Sequence, residues 1–155
     1  MSLLLQCLGY YLLISTFATV LYIVIFHKRE RPMQGTMLII RPGANVVEEH
    51  KLNAAPRMHE MQRVVGGWLE HVPSFGSITH DGRICPCVCL VNEEGKFSYS
   101  TFPGQTGRRE PLEANGYATS LWLAAQEHHP LPVAPDVLCG PVLILIGDRE
   151  FMQSI

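Results

Sequence analysis

Between Ser2 and Phe26 there is not one Asp, Glu, Lys or Arg: the stretch reads SLLLQCLGYYLLISTFATVLYIVIF. As a helix rising about 1.5 Å per residue it would reach roughly 37 Å, enough to cross a hydrocarbon core of about 30 Å with some tilt. Its polar members suit a span, since the hydroxyls of Ser15, Thr16 and Thr19 can bond back to helix carbonyls and Gln6 lies near one end. Tyr22 falls near the far end, where amphipathic rings favour the headgroups, whereas Tyr10 and Tyr11 sit deeper. A basic n-region and a small-residue cleavage site are also missing, which argues against a cleaved secretory signal and for an anchor that stays. The positive charge comes after the run, in HKRERP. Lys28, Arg29 and Arg31 then set the topology, because basic residues flanking a span are retained on the cytoplasmic side. The expectation is a single pass through an inner or cytoplasmic membrane, with the lipid bilayer as partner through residues 2–26. The N-terminus is expected outside and residues 33–155 in the cytosol.

Excess basic charge is absent from the remainder. With Lys28, Arg29, Arg31 and Glu30 set aside, nine Lys and Arg face thirteen Asp and Glu, a net charge of −4 with His neutral. A surface that neutralises phosphates needs the opposite sign, so nucleic acid is not an expected partner. Cysteine is sparse, with four of the five in this part of the chain, and a reducing cytosol requires no disulfide framework. No nucleophile elbow, P-loop, dinucleotide fingerprint or H-E-x-x-H occurs, which removes the enzyme classes those motifs carry. What is present, 155 residues with 47% hydrophobic content, allows one modest domain beside the anchor.

The pattern along the chain predicts an α+β domain: a small sheet with two helices packed on it, over residues 37–148. Residues 1–27 precede it as an anchor and 28–36 as a basic linker, and 149–155 follow as a tail. TMLIIRPG and NVVEEHKL read as an opening hairpin turned at Pro42-Gly43. In NAAPRMHEMQRVVGG, Met58, Met61 and Val65 recur at helical spacing, with Asn53 as cap, Pro56 in the first turn and Gly66-Gly67 as terminator. GWLEHVP follows as a strand with Trp68, Glu70 and Val72 on one side and Leu69 and His71 on the other. In NGYATSLWLAAQEHH, Tyr117, Leu121, Ala124 and His128 make a helical stripe that Ala118, Trp122 and Ala125 widen, capped by Asn115; His128 and His129 read as solvated residues at its end. STFPGQTGRREP reads as a surface loop. VLCGPVLILIGD is the most apolar strand candidate, and Gly140-Pro141 suggests a bulge or an edge position.

ICPCVCLVNEEGK poses the one chemical question. Cys85, Cys87 and Cys89 stand at every second position, with His80 upstream. On a strand they share one face with Val91, while Val88 and Leu90 take the other. Same-face neighbours sit nearly 7 Å apart, by roughly twice the rise per residue, so their thiolates diverge where a metal needs convergence. The spacing H-x4-C-x-C-x-C also matches no zinc pattern. A strand buried on both faces is the better reading, with Pro86 placing its start at an edge or just outside the ladder. NEEGK then turns, with Gly95 expected at positive φ.

The order of MLIIRPG, EMQRVVGGWLEHVP, CLVNEEGK, NGYATSLW and DVLCGPVLILIGD resembles a family of small bacterial and bacteriophage proteins known as a domain of unknown function. Its pattern is an opening strand with a Pro-Gly turn, a helix leading into V-G-G-x-[IL]-E-x-V, a strand ending in N-E-E-G-K, an Asn-led segment and a closing strand ending in glycine. The match covers roughly residues 37–148, and the chain departs from it in its N-terminal span and in the insert SYSTFPGQTGRREPLEA. The resemblance implies a compact α+β domain, often encoded on mobile elements, and implies no activity. Within the matched blocks the candidate ligand-binding residues are Trp68, Glu70, Asn92, Glu93, Glu94 and Asn115. The blander alternative is that Glu93 and Glu94 are solvated turn residues and Glu70 a solvated strand residue. Two expectations follow. One is a membrane-anchored binding or regulatory module for a cytosolic protein or small ligand, needing no cofactor. The other is an enzyme or metal-binding protein that uses Glu70, Asn92 and Glu93, or His80 with the three cysteines; the sequence favours the first.

Overall fold

The computed structural model describes residues 34–126 and 136–155. The uncharged run, Lys28, Arg29, Arg31, His128 and His129 lie outside the described residues. Among the described residues no helix is long and apolar enough to cross a membrane.

Six strands form one antiparallel sheet, mixed with helices in an α+β fold. β1 (Gly35–Ile40) pairs on one side with β2 (Val47–Leu52) and on the other with β8 (Val142–Gly147). β8 in turn pairs with β5 (Arg83–Asn92), and β5 carries β3 (Leu69–His71) and β4 (Ser77–His80) along its length. The opening hairpin and the closing strand are those the hydrophobic pattern predicts. β8, the most apolar of them, lies between β1 and β5, so Pro141 marks no edge: it sits just before the ladder begins at Val142. A proline there leaves no ladder donor missing.

Alternation along the strands divides the core in two. On one face Leu38, Ile40, Cys87, Cys89, Val91, Val142, Ile144 and Ile146 pack with Ala118 and Trp122 of α2 (Gly116–Gln126), and with Val72 and Phe75. On the other, Ile39, Leu90, Leu143 and Leu145 pack with Met61 and Val65 of α1 (Met58–Val65) and with Phe151 of α3 (Arg149–Gln153). The described residues thus hold three helices where two were predicted. The expected tail contributes the third, and its Phe151 is fully buried. Asp148 caps α3, accepting the Phe151 N–H at 2.8 Å, and its other oxygen accepts the Gln34 N–H at 2.8 Å. That bond ties the start of β1 to α3, and β1 itself begins at Gly35, inside the stretch read as linker.

Helix boundaries shift for local reasons. Asn53 and Pro56 lie ahead of α1 and neither caps it; Arg57 is the cap residue, with its N–H donated to the Glu60 carboxylate at 2.7 Å. Met58, expected on the buried stripe, stands 61% exposed, and the face turns instead on Met61 and Val65. In α2 the buried side runs through Ala118, Thr119 and Trp122, so Tyr117 and Ala124 lie outward. The expected surface loop after NEEGK contains a small hairpin, β6 (Tyr99–Ser100) with β7 (Gly107–Arg108).

β4 and β5 are joined at Asp81-Gly82, both at positive φ (49° and 71°), the left-handed pair of a tight two-residue hairpin. Ile78 of β4 packs against the α2-side core. At the turn, His80 Nε2 lies 3.8 Å from an oxygen of Glu49 in β2 and 3.6 Å from Asp81. Pro86 pairs with Ser77 of β4 one residue before the β8 ladder starts, so it faces an unpaired edge on one side only.

Candidate functional site

The three cysteines behave as strand residues. Cys87 and Cys89 are buried in the α2-side core, and Cys85 packs partly against it. The Cys87 thiol donates to the Phe75 carbonyl at 3.5 Å. Burial, with a smaller contribution from neighbouring thiols, pushes the Cys87 thiol up to about 12 and holds the Cys89 thiol well above its ordinary value. That is the reverse of the thiolate that metal binding or redox attack requires. His80 approaches Glu49 and Asp81, and among the described residues no group of three or more His, Cys, Asp or Glu side chains gathers as a metal cage.

The two sequence blocks VGG and NEEGK meet in space, and their meeting is a joint. Gly66 ends α1 at φ 76°, its N–H bonded to the Gln62 carbonyl at 2.8 Å. Asn92, at the end of β5 and 4% exposed, donates its amide to the Gly66 carbonyl at 2.9 Å and accepts the Glu94 N–H at 2.9 Å. A Cβ on Gly67 would stand 2.3 Å from that amide, so the second glycine is there to let Asn92 pass. Gly95 does not take the positive φ expected of it; it lets the Cys139 carbonyl approach, which a Cβ would meet at 3.2 Å.

Two further candidates are also committed to the fold. Asn115 is 1% exposed: its oxygen accepts the Ala118 N–H at 3.1 Å, and its amide donates to the carbonyls of Ile40 and Gly140 at 2.9 and 3.0 Å. It caps α2 and ties that helix to β1 and to the entry of β8. Glu94 accepts from the Ser100 hydroxyl at 2.7 Å and from the Thr101 hydroxyl and N–H at 2.5 and 2.9 Å. Those bonds from Thr101 and then Ser100, with the Arg109 charge a smaller cause, hold its carboxyl below the usual range. Trp68 donates its indole N–H to the same Thr101 hydroxyl at 3.1 Å and packs edge-on against Phe102 at 5.3 Å. Trp68 and Glu94 therefore clamp the β6–β7 hairpin onto the body of the domain.

Glu70 and Glu93 remain. They line a groove of about 580 Å³ with Asn92, whose amide is already taken. Its floor is apolar, from the buried Val72, Trp122 and Leu138, and exposed Pro73 joins His71, Lys96, Phe97, Asp136 and Cys139 around it. The Trp122 indole donates to the Pro73 carbonyl at 2.7 Å and so fixes the floor. Lys96 is already paired with Asp136. A second, more open depression shares Glu93 and Phe97 and is walled by Tyr99 and Arg108. Lys96, Phe97, Trp122 and Asp136 did not stand out in the sequence, because they come from a turn, a helix and the approach to β8. Only the fold brings them beside β3.

No family model matches the chain, and neither a curated protein nor a solved structure does.

Proposed function

We propose that the chain is a single-pass, membrane-anchored binding or regulatory module of the small bacterial and bacteriophage family that its motif order resembles. Residues 2–26 are the anchor, Lys28, Arg29 and Arg31 orient it, and residues 33–155 lie on the cytosolic side. The observation that carries the binding reading is the groove at Glu70 and Glu93: an apolar floor under two carboxylates, in a domain whose other candidate polar residues are used by the fold. An apolar cleft with few polar groups is how proteins hold ligands. Asn92 is unavailable for chemistry, since both ends of its amide are bonded, and this weighs against an acid/base site built on Glu70, Asn92 and Glu93.

The test is topological. A C-terminally tagged full chain should stay with bacterial membranes through an alkaline wash, and its tag should survive protease added to intact spheroplasts. Release by the wash, or digestion from outside, would overturn the anchored arrangement.

A further inference from the structure

We propose that the groove beside β3 receives an extended, basic segment of a partner protein, a stretch in which Lys or Arg alternates with apolar residues. The inference rests on the reading of this groove as the binding surface and names the chemistry of what binds there.

Charge is the first argument. Among the described residues neither Glu70 nor Glu93 has a side-chain hydrogen bond or ion pair, while Lys96, on the same rim, is neutralised by Asp136. The groove therefore offers two unspent carboxylates and no unspent lysine or arginine, which is complementary to a cation and repels an anion. Glu70 lies opposite Val91 on the paired strands, and Glu93 N–H bonds to the Trp68 carbonyl, so both side chains rise from one rigid sheet corner. The aromatic flank is the second argument. Phe97 and Tyr99 stand 60% and 57% exposed next to Glu93, and an open ring face beside a carboxylate suits a guanidinium or ammonium group. Shape is the third. The groove of about 580 Å³ and the neighbouring depression share Glu93 and Phe97, so the two adjoin, and the groove by itself is larger than a single small amine fills. Arg108 lines the second depression together with Glu93, so the partner's cationic contacts belong to Glu70 and to the side of Glu93 that faces the first groove.

The chain contains two tryptophans, Trp122 in the groove itself and Trp68 just ahead of β3, so intrinsic fluorescence reports on the site through Trp122 and on its neighbourhood through Trp68. The full chain in detergent would be titrated with three blocked hexapeptides that alternate Leu with Arg, Leu with Gln, or Leu with Glu, and separately with n-hexylammonium. The Leu-Arg peptide should bind, and raising salt should weaken it. Glu70→Gln and Glu93→Gln should each weaken it roughly three- to five-fold, the scale of an exposed charge contact. Both positions are exposed, so far-UV spectra of the variants should match the parent. Equal binding of the Leu-Gln peptide would overturn the proposed cation preference while leaving a binding groove. Binding of n-hexylammonium as tight as the peptide would overturn the extended partner. If no probe perturbs either tryptophan, the groove reading itself falls.

Discussion

Glu94 is a surface carboxylate whose role is mechanical. The Thr101 and Ser100 donors bond its ionised form more strongly than its protonated one, so its folded-state value lies below the model-peptide value of 4.5. A depressed carboxyl stabilises the fold above its unfolded value and loses that contribution as pH falls through the folded one. As pH falls below 4.5 and on through the lower folded-state value, the Trp68–Thr101–Glu94 clamp should therefore loosen, seen as a fluorescence change and a shift of the Thr101 amide resonance. Glu94→Gln should abolish the pH step; a step of equal size in that variant would assign it elsewhere. The cysteines make the opposite case, of chemistry suppressed by burial. Maleimide at neutral pH should modify Cys85 and Cys139, both part-exposed, and should reach Cys87 and Cys89 only after unfolding. Peptide mapping of the labelled full chain checks this, and modification of Cys89 in the native protein would refute its place in the core.

Elements were legible in the sequence where one signal acted alone. The alternation in ICPCVCLVN distinguished the two faces of β5, the unbroken apolar run VLILIG marked β8 as a strand, and the Gly66 terminator marked the end of α1. Elements were missed where tertiary contacts decide. REFMQ has too few residues to be stable as an isolated helix, and it forms because Asp148 caps it and Phe151 enters the core under β1 and β8. The Asp81-Gly82 hairpin was missed although Asp-Gly is a hairpin signal, because SITH ahead of it is too polar to stand out from a loop. In the candidate site, Glu70 and Glu93 were legible as polar residues in matched blocks. Asn115 was legible as the cap of α2, whereas its bonds to the Ile40 and Gly140 carbonyls and the joint that Asn92 makes with Gly66 come only from the fold. Phe151 supplies the test at this scale. A Cβ on Gly35 would lie 2.2 Å from its ring, so Gly35→Ala should destabilise the domain by about 2–3 kcal/mol. Phe151→Ala should cost about 3–5 kcal/mol. The two together should cost less than their sum, because the added methyl enters space the ring has left. Urea unfolding of the four proteins decides it, and strict additivity would refute the contact.

At the scale of the whole molecule, the two cores are separate layers that share their central strands. Leu38, Ile40, Ile144 and Ile146 face α2, while Ile39, Leu143 and Leu145, from the same strands, face α1 and α3. A side chain removed from one layer therefore weakens β1 and β8, which the other layer needs. Both tryptophans report on the α2 side: Trp122 is buried there, and Trp68 holds the hairpin beside it. Leu143 is fully buried on the opposite side. Leu143→Ala should cost about 2–5 kcal/mol through lost burial and the cavity left behind. In urea, its tryptophan fluorescence and far-UV signals should move to lower midpoints together, because a single cooperative unit has one transition for all probes. Were the layers independent, the far-UV transition would split and the fluorescence midpoint would stay where it is in the parent protein. Coincident shifts would mean that a ligand held in the groove stabilises the α1 and α3 layer as well, although it touches neither helix.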